Sequence, residues 1–268
     1  MADPSRLSLN QITVLSWDLA RAVRGCAEHG IGSVGVWIDK VEEAGLAQAV
    51  RLLRDHDLEV SSVCRAGFFT DDRPAATIRA ENARAVEIAH EVGAACLYIV
   101  CGGLGPDRDL AGARSRSLEG LRDLADLAGA AGVRLALEPL HPMMCADRGV
   151  VVTLDQALDL VDEIGDDTVG VAVDTYNVWW DPRLGGAIER AGDRVIGYQV
   201  CDWLVPQPHP TFGRGIPGDG VIDLRSVTTA VEATGFTGAI EVEIFNEDVW
   251  ATDPDDVLTA IRSSFELV

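Results

Sequence analysis

The sequence predicts a single (β/α)8 barrel, the TIM-barrel architecture, over residues 1–268. Three observations carry this. Eight short apolar runs recur along the chain, each followed by a stretch with apolar residues at three- and four-residue spacing, the strand and helix periods in alternation. No linker, low-complexity tract or change in composition divides the 268 residues, a length that suits one large domain. And "LSWDLARAVRG", after the first run, has no glycine fingerprint of the kind an open doubly wound sheet carries.

The first strand is expected at "QITVL", around Thr13. The next three are "IGSVGVW" to Trp37, "LEVSSVC" to Cys64 and "ACLYIVC" to Cys101. The last four are "VRLALE" to Glu138, "VGVAVD" to Asp174, "RVIGYQV" to Val200 and "GAIEVEIF" to Phe245. Between them, "AATIRAENARAVEIAHEVGA", "LEGLRDLADLAGAAG" and "TLDQALDLVDEIG" show helical spacing. Thr153 is placed as an N-cap, Asp223 caps the seventh helix, and Asp253-Pro254 opens the last one with proline in its first turn. Glycines in "EHGIGS", "EVGAA", "GAAGVR" and "EATGFTG" fall where each helix should stop.

Composition narrows the function. With 43 acidic residues against 22 Lys plus Arg, the formal charge is −21, which argues against nucleic acid as a partner because phosphates are bound by cations. Apolar runs end well short of the ~20 residues of a membrane span. "MADPSRLSLN" has no apolar segment behind basic residues, so a cytoplasmic protein without a leader is expected. The six cysteines are scattered without metal-type spacing and read as reduced, mostly buried thiols.

In such a barrel, chemistry sits at the C-terminal ends of the strands. The last four strands end at Glu138, Asp174, Gln199 and Glu243, each behind an apolar run. One such residue could simply cap the following helix. Four in succession point to a shared site, and carboxylates so placed repel one another unless a cation joins them. Oxygen ligands of this type suit a hard divalent ion, Mn²⁺ or Mg²⁺. Glu241 lies on the same strand face as Glu243 and reads as a carboxylate behind the ligands.

"LALEPLHPM", "VAVDTYNVWWDP", "GYQVCDW", "GDGVIDL" and "GAIEVEIFNED", in that order, resemble the sugar phosphate isomerase/epimerase family with its xylose-isomerase-like barrel. The resemblance spans nearly the whole chain. It implies a metal held by Glu138, Asp174, Gln199 and Glu243, with Glu138 and Glu243 also the acid/base pair that moves a proton on a ketose-like substrate. It implies too that Arg214, in "FGRGIPGDG", reaches the substrate's far oxygens. The chain departs from the family at Gln199 and Asn177, both usually histidine.

An aromatic rim after the strands, with Trp179 and Trp203 foremost and Asn177 beside them, suits contact with a sugar face. Because Arg214, Arg148 and Arg65 are few for a phosphate, an unphosphorylated sugar, polyol-derived ketone or glycoside is expected, with a second copy or a partner subunit left open. Two alternatives stand. His141 in "EPLHPM" could act as a base for elimination from an oxidised glycoside, a segment similar to those of glycoside-cleaving barrel subunits. Or the replacements at Gln199 and Asn177 could mark a barrel that has lost metal and catalysis.

Overall fold

The computed structural model describes residues 2–268. Eight parallel strands close into a barrel: β1 (Leu7–Asn10), β2 (Ser33–Trp37), β3 (Glu59–Gly67), β4 (Leu97–Val100), β5 (Leu135–Leu137), β6 (Val169–Asp174), β7 (Val195–Val200) and β8 (Ile240–Val242). Each strand pairs with its neighbours in sequence, and β8 pairs with β1 to complete the ring. Helices between the strands cover the outside. Valines, isoleucines and leucines of the strands pack on the inner faces of those helices in one continuous core. Side chains such as Leu9, Leu97 and Leu135 are wholly enclosed, each worth about 1.5–3 kcal/mol of transfer from water.

Thr153, Asp223 and Asp253 cap their helices through side-chain oxygens as the sequence predicts. Gly30, Gly93, Gly132 and Gly235 all follow helices with positive φ, a region open to glycine at little steric cost.

The first strand lies elsewhere than expected. β1 is "LSLN", and "QITV" turns through a 3-10 helix instead. Asn10 explains the change of direction, because its Oδ1 accepts the Ile12 N–H at 3.1 Å and caps that helix. The β1 register, Ser8 opposite Glu241 and Leu9 opposite Val242, buries both faces of the strand. Leu7 and Leu9 join the apolar layer under the helices, while Ser8 and Asn10 reach polar partners inside the barrel.

After β7 the chain forms a two-stranded antiparallel ribbon, Asp202–Trp203 with Arg214–Gly215, which lies over the barrel mouth. Asp202 fixes it by accepting the N–H groups of Trp203, Gly218 and Ile222, all at 2.9 Å.

Candidate active site at the mouth of the barrel

Asp174 closes β6 and serves two purposes with two oxygens. Its Oδ1 accepts the Tyr176 N–H at 2.9 Å and caps the short helix Thr175–Val178. Its Oδ2 faces inward and accepts from Asn177 Nδ2 at 2.7 Å and Arg214 Nη1 at 3.0 Å. The cap and the site therefore coexist in one side chain.

Glu138 follows β5 directly. Asn177 Nδ2 donates to its Oε1 at 2.8 Å, and its Oε2 receives no hydrogen bond among the described residues. Glu243 follows β8; Asn10 donates to Oε1 at 3.1 Å and Arg214 to Oε2 at 2.8 Å. One oxygen from each of Glu138, Asp174 and Glu243 lies within 4.8 Å of the others. Gln199, opposite both Asp174 and Glu241 in the strand register, donates Nε2 to Glu241 Oε1 at 2.8 Å. That leaves Gln199 Oε1 as a buried acceptor with no partner.

Glu241 lies one layer deeper. Its carboxylate accepts from Asn10 Nδ2, Ser61 Oγ, Ser62 Oγ and Gln199 Nε2 at 2.5, 2.5, 2.7 and 2.8 Å. Gly35 makes this possible, since a Cβ on β2 at that point would run into the carboxylate. Asn10 also holds Trp37, accepting its Nε1–H at 2.8 Å. Sequence reasoning did not single out Asn10, Ser61 or Ser62; the alternation in "LSLN" is the signal that could have found Asn10.

Arg214 sits deeper than a residue aimed at a substrate's far oxygens. Its guanidinium lies between the Tyr176 and Phe245 rings, 4.7 and 4.9 Å from their centres, and bridges Asp174 and Glu243. Asn246 Nδ2 holds its carbonyl at 2.8 Å. Asn177, expected to meet substrate, instead ties Glu138 to Asp174 and accepts the His141 N–H through Oδ1 at 3.1 Å.

A narrow cleft between these residues is lined by Trp37, Cys64, Arg65, Glu138, Leu140, Met144, Arg148, Tyr176, Thr211, Arg214, Glu243 and Phe245. His141, Trp179 and Trp203 do not line it. Trp203 stacks on Tyr176 at 4.8 Å between ring centres, and His141 and Trp179 pack on Trp203 at 5.0 and 5.5 Å. They back the wall of the cleft. His141 Nδ1 accepts the Met143 N–H at 3.2 Å, and burial lowers its proton affinity.

Burial, then the charges of Asp174 and Glu243, pushes the Glu138 carboxyl well above the usual range. Burial pushes Glu243 up to about 7, Arg214 opposing and Asp174 and Glu241 adding to the rise. Burial and the nearby Glu241 and Glu243 keep the Cys64 thiol protonated. Three converging carboxylates and an orphaned amide oxygen form a donor set that fits a hard divalent cation.

The sequence model of the xylose isomerase-like TIM barrel matches residues 23–266. The chain belongs to that family. Within the xylose isomerase-like barrels, it is 25% identical to an inosose isomerase of Bacillus velezensis, over 98% of this chain and 96% of the relative. Protein SMc04130 of Sinorhizobium meliloti 1021 is 42% identical, covers 98% of both chains and superposes with a TM-score of 0.95. The IOLI protein, whose crystal structure contains a bound zinc atom, shares the fold with a TM-score of 0.84 at 20% identity over 98% of each chain. The curated relatives include sugar isomerases and epimerases. Among the described residues no helix is long and apolar enough to cross a membrane.

Proposed function

We propose that the chain is a divalent-metal-dependent isomerase or epimerase that moves a proton on a sugar-like keto/hydroxy compound. The observation that carries this reading is the convergence of Glu138, Asp174 and Glu243 from three strand ends. Glu138, Asp174, Gln199 Oε1 and Glu243 would hold the cation. When bound there, a hard divalent ion chelated by neighbouring carbonyl and hydroxyl oxygens acidifies the adjoining C–H.

The protein supplies the proton movement. Glu138 and Glu243 project from β5 and β8, three strands apart in the ring, and an oxygen of each comes within 4.8 Å of the other, so a substrate carbon placed against the pair would be within reach of both carboxylates. Glu138 Oε2, free of hydrogen bonds, is the side chain ready to take a proton from carbon. Glu243 returns one to the other face, which inverts the centre, or to the adjoining carbon, which isomerises it. Burial raises the proton affinity of both carboxyls, and that of Glu243, at about 7, suits a reversible acid/base at neutral pH. Asn177 keeps Glu138 Oε1 in place, and the aromatic wall keeps water from the reacting face.

The packing of His141 against Trp180 and Trp203, with Nδ1 occupied by the Met143 N–H, supports proton transfer by the glutamates over elimination with a histidine base. One observation favours a different reading: Arg214 bridges Asp174 and Glu243 as a built-in cation, which suits a barrel without metal. Metal analysis separates the two. Protein purified without chelator should carry close to one equivalent of divalent metal, and less than about a tenth would favour the metal-free barrel. With Mn²⁺ present, incubation of ketoses and oxidised glycosides in D₂O should place deuterium on carbon. Glu243→Gln should lower that exchange by about 10²–10⁴-fold with the circular dichroism spectrum unchanged. Normal exchange by that variant refutes the acid/base assignment.

A further inference from the structure

Two guanidiniums at the cleft are left over after the metal-binding carboxylates have been matched. Arg65, at the C-terminal half of β3, is held over the Trp37 and Phe68 rings at 5.4 and 5.3 Å. Trp37 is itself fixed by Asn10, so the guanidinium rests on a stationary platform. Arg148, in the loop after β5, has its backbone anchored by a bond from its N–H to Met144 O at 2.8 Å. That loop packs on Gly103 so closely that a Cβ there would strike Asp147 and Arg148. Both side chains are half-buried and line the cleft, and among the described residues neither forms an ion pair or a side-chain hydrogen bond.

This is unusual in a chain of net charge −21, whose acidic residues pair with most of its other arginines. Two half-buried cations without carboxylates are costly to assemble unless a ligand completes them. The partners already present give the ligand's sign. Arg214 pairs with Asp174 and Glu243, and uncharged donors hold Glu241, which leaves Arg65 and Arg148 as an excess of cations at the cleft. A planar anion that accepts paired N–H donors matches both that excess and the guanidinium fork.

We propose that the substrate is a polyhydroxy ketone bearing a carboxylate, which Arg65 and Arg148 bind while the keto/hydroxy end lies against Glu138 and Glu243. The assignment rests on the metal-dependent reading above and names its substrate class.

Mn²⁺-loaded protein is titrated calorimetrically with 5-keto-D-gluconate, D-fructose 6-phosphate and D-fructose, for wild type, Arg65→Met and Arg148→Met. Wild type should bind the keto acid at least tenfold more tightly than D-fructose and more tightly than the phosphate. Each substitution should weaken keto-acid binding about tenfold, at least five times more than it weakens D-fructose binding, with Mn²⁺ content and circular dichroism unchanged. Equal affinity for charged and neutral probes overturns the proposal, as does failure of the keto acid to bind. So does a preference for the phosphate, or equal losses for all probes in the variants. Loss of Mn²⁺ itself from wild type would instead sink the metal-dependent reading.

Discussion

Replacing Arg214 by methionine tests the guanidinium directly against a metal ion. In the wild-type chain Nη1 lies 3.0 Å from Asp174 Oδ2 and 2.8 Å from Glu243 Oε2, in a buried setting. Methionine keeps an apolar stem between Tyr176 and Phe245 and removes the charge. Stripping one partner from a buried ion pair costs about 3–5 kcal/mol, because the remaining charges stay buried without compensation. At roughly 2–4 °C per kcal/mol for a chain of this size, the metal-free variant should melt about 10 °C below wild type. The same uncompensated carboxylates attract a cation more strongly. Only part of the penalty is recovered on binding, since Glu138 Oε2 is open in either protein. A gain of about 1.4–2.8 kcal/mol corresponds to Mn²⁺ affinity ten- to a hundredfold tighter. Isothermal titration of chelator-stripped protein with Mn²⁺, alongside melting curves with and without the ion, reads both quantities. Weaker Mn²⁺ binding by the variant refutes the reasoning and makes the guanidinium a support of the cation.

Three further outcomes follow from the same geometry. Gln199→His should shift preference toward Zn²⁺ over Mn²⁺, because imidazole suits the softer ion; abolished binding of both would show that position 199 is not a ligand. Glu241→Ala should loosen Mn²⁺ about 10–100-fold in a direct titration, since Gln199 then loses the partner that turns its Oε1 free; unchanged affinity contradicts that role. Metal-free protein should lose stability as pH rises: Glu243, raised by burial from 4.5 to about 7, penalises the fold once ionised. The loss is about 3 kcal/mol, developing between pH 4.5 and 7. Calorimetric melting of wild type against Glu243→Gln checks it, and a wild-type stability that falls no faster than the variant's in this window contradicts it.

The barrel was legible because strand and helix periods alternate cleanly from "IGSVGVW" onward. Glu138, Asp174, Gln199 and Glu243 stood out for a related reason: each ends a run of residues that a parallel sheet buries on both faces, and a polar group there is conspicuous. β1 escaped for the converse reason. "LSLN" alternates, with its polar side chains turned into the barrel, and the more apolar "QITVL" beside it is a 3-10 turn. That shift concealed Asn10, which binds Glu241, Glu243 and Trp37 together. Arg214 was legible as a candidate for the barrel mouth but not in its depth. Its depth depends on the ribbon that returns the chain from Gly213 to the mouth, and on Asn246, contacts that local sequence does not encode.

The carboxylate of Glu241 keeps company only with uncharged donors: two serine hydroxyls and two amides, drawn from β1, β3 and β7. Dipoles stand in for a counter-ion, so its negative charge is steadied without being cancelled and projects upward as a standing field through the barrel floor. On the metal-dependent reading proposed above, an arriving cation would be drawn by that field. Exchanging the hydroxyl of Ser61 or Ser62 for hydrogen would retune that field while leaving Glu138, Asp174, Gln199 and Glu243 unchanged.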